Sequence, residues 1–148
     1  MMKNCTLPVL LLLVLAVSCP LFGQTAAKLE ALLETPVLTW GEASAFVQEA
    51  SPAGPSPGAD KQWLPKGASP GDTARLNGIA LLLMRSFDIK GGLFYRIGRS
   101  PHHAYRELEY KKVIRGTMDP DMPVSGADLL FMVNRLLAMT EEAEGVSK

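Results

Sequence analysis

Cysteine is nearly missing from this chain: the two that exist, Cys5 and Cys19, both fall within the first nineteen residues. A domain built from the remainder therefore has no disulfide framework and must hold itself together by burial alone. Net charge is also missing, with fifteen basic side chains set against fifteen acidic ones. The balance is only overall, because the charges are unevenly distributed along the chain. Histidine is limited to the adjacent pair His102 and His103. Neighbours on a helix point about 100 degrees apart, so they cannot readily share one metal, and no third ligand at a suitable spacing supports a zinc centre. No nucleophile-elbow sequence and no phosphate-binding glycine loop occurs, and "KGG" at 90–92 lacks the required spacing. The acids Asp119 and Asp121 stand in a turn-like stretch that uses them for geometry and solvation. The expectation is a non-catalytic protein without cofactor or metal.

The first residues set the compartment. Lys3 precedes an almost wholly apolar run, Leu7 to Val17, in the order of a secretory signal peptide. The run is shorter than the roughly 20 residues a membrane span requires. Two processing sites compete. Cleavage after Gly23 leaves a mature chain from Gln24 with no cysteine. Alternatively "LAVSC", Leu15 to Cys19, resembles a bacterial lipobox, which would make residues 1–18 the leader and Cys19 a lipidated first residue. Export to the periplasm or envelope results from either, with membrane attachment only through that lipid. Export also removes the protein from cytoplasmic nucleic acid.

Composition divides the rest into helical segments and one long interruption. Residues 24–50 form a first helical segment. Residues 51–71 hold five prolines and four glycines, which reads as a loop with Trp63 and Leu64 as its bulky apolar pair. Residues 72–140 form a second helical region and 141–148 an acidic tail. In that region Leu76, Ile79, Ala80, Leu83, Met84 and Phe87 repeat at the spacing of one buried helical face, after a start signal at Ser69, Pro70 and Asp72. "SPHHAYRELEYKKVIRG" predicts a helix over about 101–113, with Ser100 as cap, Pro101 at the first position, Ala104, Tyr105 and Leu108 inward, and Gly116 as the stop. A last helix is expected over Ala127–Met139. Between these, "IKGGLFYRIG" predicts a turn and a short extended segment. The fold class is mainly α.

Two helix starts share one pattern. Thr39 and Glu42 have the spacing of a capping box, and Ser125 and Asp128 repeat it with a shorter acid. Around the second start, "HHAYRELEYKKVIRG" followed by "DPDMPVSGADLLFMVNRLL" resembles the S-layer homology motif. His102, His103 and Ala104 stand at the helix opening, Val113, Ile114 and Gly116 at the apolar corner, Pro120 and Pro123 in the loop, and Ser125 to Asp128 at the second start. Leu38 to Ala50 resembles the second-helix half of an earlier copy. Whether residues 72–98 form the first helix and corner of another copy is open at this level. The resemblance implies a small helical domain of helix-loop-helix repeats, usually three about a pseudo-threefold axis, attaching exported proteins to peptidoglycan-linked polymer. Trp40 and Gly126 occupy the places of the family's ligand-binding arginine, and His103 that of its tryptophan.

Charge is unevenly spread: nine Lys or Arg lie between Arg75 and Arg115 against three acids. A basic middle in an exported protein points to an anionic partner such as cell-wall polymer. Candidate ligand residues are Arg96, Arg99, Arg106 and Arg115, whose guanidinium forks suit carboxylate and phosphate. Trp40 is the candidate stacking platform if exposed, and otherwise closes a core beside its helix start; the amides at the Thr39 and Ser125 helix starts are further anion candidates, unless the caps serve the helices alone. The alternative partner is an envelope protein docked on an apolar groove or on the Pro-rich loop, and a hydrolase is a minor alternative.

Overall fold

The computed structural model describes residues 21–52, 54, 64–116 and 118–145. Cys5, Cys19 and Trp63 lie outside the described residues, as do most of the expected leader and much of the expected 51–71 loop. The protein is mainly α, with helices α1 (Leu21–Glu34), α2 (Trp40–Ala50), α3 (Leu76–Ser86), α4 (Leu93–Gly98), α5 (Pro101–Tyr110) and α6 (Gly126–Gly145). It falls into two compact units, one up to Leu32 and one from Leu33 onward. The second unit carries α2 to α6 and the core.

That core is organised by a feature the helix pattern does not announce. Three extended residues, each two positions before a helix, are wholly or almost wholly buried: Leu38 at 0 %, Ala74 at 0 % and Val124 at 1 % exposure. A buried extended backbone outside any sheet must find partners for its amide and carbonyl groups. Here the three residues satisfy one another in a closed ring. The Leu38 amide donates to the Val124 carbonyl at 2.9 Å, the Val124 amide to the Ala74 carbonyl at 3.1 Å, and the Ala74 amide to the Leu38 carbonyl at 2.9 Å. Antiparallel bridges Thr39–Thr73 and Arg75–Pro123 flank it. Helices α2, α3 and α6 all start from this ring.

The first helical amide of each is taken up by a neighbouring segment: Trp40 donates to the Asp72 carbonyl, Leu76 to that of Met122 and Gly126 to that of Thr35, at 2.9–3.0 Å. The second amides of α2 and α3 do likewise, Gly41 to the Pro70 carbonyl and Asn77 to that of Pro120, both at 2.8 Å. The stretches "SPGDTAR" (69–75) and "DPDMPVS" (119–125) thus do the same work in the same register. Each opens with a turn, closed by Asp72 donating to Ser69 and by Met122 donating to Asp119.

Helix α3 is the centre, buried on nearly every side through Leu76, Gly78, Ile79, Ala80, Leu82, Leu83 and Met84. It meets α2 on one flank and lies along α5, while α6 rests on α2 and α4 on α5. The ends of α3 and α5 share a geometry. Asp88 (φ 46°) and Lys112 (φ 61°) are left-handed. The amide beyond each returns to the last turn, Ile89 to the Met84 carbonyl and Val113 to that of Leu108, in the six-to-one bond of a Schellman motif. So α3 starts like α2 and α6 but stops like α5.

Several expectations need correction. Residues 93–98 are helical, not extended, because Gly92 caps a turn whose buried residue is Tyr95. Helix α5 ends at Tyr110, and the stop is Lys112 rather than Gly116, which lies beyond the reversal. Ser69, Pro70 and Asp72 form the turn leading to the ring, with the Asp72 carboxylate accepting from the Ser69 amide at 2.8 Å. The helix itself begins only after Arg75, whose side chain makes no cap bond. The last helix extends to Gly145, through residues expected as a tail, because Glu and Ala favour helix.

Candidate functional site

Among the described residues, a half-open cleft of about 1050 Å³ lies between the last turn of α3 and the inner side of α4. Arg85 enters from α3, Lys90 from the connection, Arg96 from α4 and Arg99 from the residue that caps it, with Asp88 as the one acid and Tyr95 on the wall. Local structure fixes these positions. The left-handed Asp88 turns the chain sharply after α3, which carries Lys90 back across the helix end. Gly91 then lies against the Tyr95 ring, where a Cβ would meet Cγ at 2.7 Å. The α5 residue Glu107 accepts from the Gly92 amide at 3.0 Å and pairs with Lys111 at 3.4 Å, which ties the start of α4 to α5. At the other end Arg99 is left-handed, its amide donating to the Tyr95 carbonyl at 2.8 Å.

Four cations facing one carboxylate give the cleft a positive potential with little internal compensation. Burial pushes the Tyr95 hydroxyl above the ordinary phenol range, while Arg85 and Arg99 draw it back and Asp88 adds to the rise. Tyr95 is therefore a neutral hydroxyl at physiological pH, able to donate to a bound oxyanion. The arrangement can hold an extended anion by several two-point guanidinium contacts.

Of the arginines singled out from sequence, Arg96 and Arg99 come together here. Arg106 and Arg115 do not. Arg115 lies 3.6 Å above the centre of the Phe131 ring, where its cation fastens the segment after α5 to α6. Arg85, Lys90 and Tyr95 were missed, because an extended reading of 89–98 puts no cleft between α3 and the segment after it. The available signal was cation spacing in "RSFDIKGGLFYRIGR".

Trp40 is core rather than a stacking platform: it is 5 % exposed and its six-membered ring rests on Gly78 of α3. The Trp40, Gly41 and Gly126 amides at the Thr39 and Ser125 helix starts are already taken up by the Asp72, Pro70 and Thr35 carbonyls. The caps themselves are local. The Glu42 carboxylate accepts from the Thr39 amide at 2.9 Å, and the Glu42 amide donates to the Thr39 hydroxyl at 3.3 Å. Both the amide and the hydroxyl of Thr39 hold the Glu42 carboxyl below its usual range, the amide more strongly. Asp128 is shorter, and its carboxylate takes the Ser125 hydroxyl at 2.6 Å while its amide donates to that hydroxyl at 3.2 Å.

The Tyr105 hydroxyl donates to the Met118 carbonyl, which pins the loop after α5. Its pKa is raised, mainly by burial and then by Glu109. His103 Nδ1 lies 2.8 Å from the Ser100 hydroxyl, so its contact belongs to the start of α5. Among the described residues no three His, Cys, Asp or Glu side chains gather as metal ligands would. A second, smaller depression of about 460 Å³ lies along α2 beside Leu64 and Pro70, without a basic lining. Set against protein-family models, curated proteins and solved structures, the chain matches none of them.

Proposed function

We propose that this protein is an exported, non-catalytic module of the bacterial envelope that holds an anionic polymer along the α3–α4 cleft. The observation that carries this reading is the lining: Arg85, Lys90, Arg96 and Arg99 converge on one half-open cleft with Asp88 alone opposing them. Several cations spread along a cleft open to solvent suit an extended anion held by successive two-point contacts. The ring of three helix starts adds support for the repeat architecture that the S-layer homology resemblance implies. That resemblance makes peptidoglycan-linked polymer the first ligand to try. The anion contact differs from the one the resemblance implies, because Trp40 and Gly126 leave no arginine at those helix starts.

The test is retention on purified sacculi with their linked polymers intact. Exposed ion pairs are worth about 0.5 kcal/mol each, so removing the four cations together lowers retention on the order of thirtyfold. Raised salt has the same direction of effect. Arg106→Ala and Arg115→Ala leave retention close to that of the parent. Equal retention of the fourfold variant, or none by the parent, overturns the reading.

A further inference from the structure

Helix α4 is inside out by the usual rule. Tyr95 is its buried residue, while Leu93, Phe94 and Ile97 are 67 %, 77 % and 77 % exposed. At 100 degrees per residue these three span one outward arc, on the side opposite Tyr95. Three large apolar side chains grouped on a six-residue helix are not the scattered exposure a soluble surface normally shows. Nor are they alone: Lys90, Arg96 and Arg99, all exposed, line the cleft on the inner side of the same short helix and border the apolar face. Apolar side chains beside a belt of long cations form the pattern by which proteins insert shallowly into anionic lipid. The apolar groups enter the acyl boundary and the cations lie among the headgroups.

We propose that α4 is a membrane-docking knuckle, which places Leu93, Phe94 and Ile97 in the outer layer of an anionic lipid surface with Lys90, Arg96 and Arg99 on its phosphates. Charge complementarity selects this occupant over an apolar protein groove, because three cations around the knuckle would be stranded against an uncharged partner. Among the described residues no helix is long and apolar enough to cross a membrane, so the contact is interfacial. Leader and lipid, if retained, act at the other end of the chain. The inference goes beyond the polymer reading: it shares the cleft cations Lys90, Arg96 and Arg99 with it, and adds Leu93, Phe94 and Ile97, which are not part of the cleft lining.

The experiment uses the full chain with Phe94→Trp, compared with the parent so that signals from Trp40 and Trp63 subtract out. Vesicles of brominated phosphatidylglycerol or brominated phosphatidylcholine report depth at residue 94 itself, whatever else holds the protein to the bilayer. The expected result is extra quenching and a blue shift with the anionic vesicles, lost in the neutral ones and weakened by salt. Arg96→Ala and Arg99→Ala each lower anionic partitioning about fivefold. The pair Phe94→Ser with Ile97→Ser lowers it on the order of a hundredfold while leaving the circular dichroism and the sacculus retention intact. No extra quenching at residue 94 overturns the proposal, even when the protein floats with the vesicles. A blue shift that grows with protein concentration and needs no lipid overturns it in favour of a second copy on this face. Loss of sacculus retention with α4 quenching preserved would instead sink the polymer reading alone.

Discussion

Replacing Gly78 by alanine tests whether α2 and α3 meet as described. On helix propensity alone the change stabilises, since alanine in a helix interior is favoured over glycine by about 1 kcal/mol. The packing argues the other way. A Cβ at Gly78 falls 2.9 Å from Cζ2 of Trp40 and 3.4 Å from Cζ3, and closer still to Cη2. Comfortable carbon contacts begin near about 3.5 Å. The indole cannot move aside cheaply, because it is 5 % exposed and its backbone amide is held by the Asp72 carbonyl at 2.9 Å. Overpacking of this kind costs roughly 1–3 kcal/mol. The expected net result is a loss of about 1–2 kcal/mol, read as a lower urea midpoint by far-ultraviolet circular dichroism. In a Trp40→Leu background, itself destabilised by roughly 2–4 kcal/mol, the same Gly78→Ala change fills space and restores its propensity advantage. Its sign then reverses, which gives a coupling of about 2–3 kcal/mol between the two sites. A raised midpoint for Gly78→Ala alone, or simple additivity in the double variant, refutes the contact.

Lys112→Gly should stabilise by about 1 kcal/mol, because its φ of 61° is strained for a residue with a Cβ and natural for glycine; a fall in thermal midpoint contradicts the Schellman stop. Glu42 has its carboxyl pKa lowered in the folded state. Its contribution is therefore present above the unfolded carboxylate value of about 4.3 and is lost as pH falls through the folded one. Glu42→Gln should flatten that acid limb in urea midpoints taken between about pH 6 and about pH 3, and identical limbs count against the capping box. Ala74→Pro removes the amide that satisfies the buried Leu38 carbonyl, for a loss of about 1–3 kcal/mol. Hydrogen exchange at Leu38 and Val124 should speed up together in that variant; unchanged protection at either shows that the ring does not act as a unit.

The sequence exposed the helices wherever the physics was local. The stripe from Leu76 to Met84, the box at Thr39 and Glu42, and Ser100 with Pro101 could all be read because periodicity and capping depend on residues three or four apart. What stayed hidden was non-local. The ring joins Leu38, Ala74 and Val124 through backbone groups that every residue carries, so side-chain pattern gave no sign of it. The equivalence of "SPGDTAR" and "DPDMPVS" was a visible trace, masked because only the turn proline and a small apolar residue repeat. The cleft was hidden for a related reason. Two adjacent glycines and a Leu-Phe-Tyr run look extended by propensity, but the Glu107 carboxylate on the Gly92 amide and the Tyr95 contact with Gly91 hold the segment as a helix. Sequence left Trp40 between a stacking and a core role because nothing near it reveals that Gly78 makes room for its ring.

The ring also sets when this protein can become itself. Leu38 and Val124 are 86 residues apart (124 − 38), and neither buried segment can satisfy its backbone until the other is present. A chain emerging from the ribosome therefore carries Leu38 and Ala74 as open ends until Val124 is made, and contacts this distant in sequence form late. If the chain is exported as an extended thread, that delay is useful: the knot of three amides cannot be tied while the thread is still being handed across the membrane.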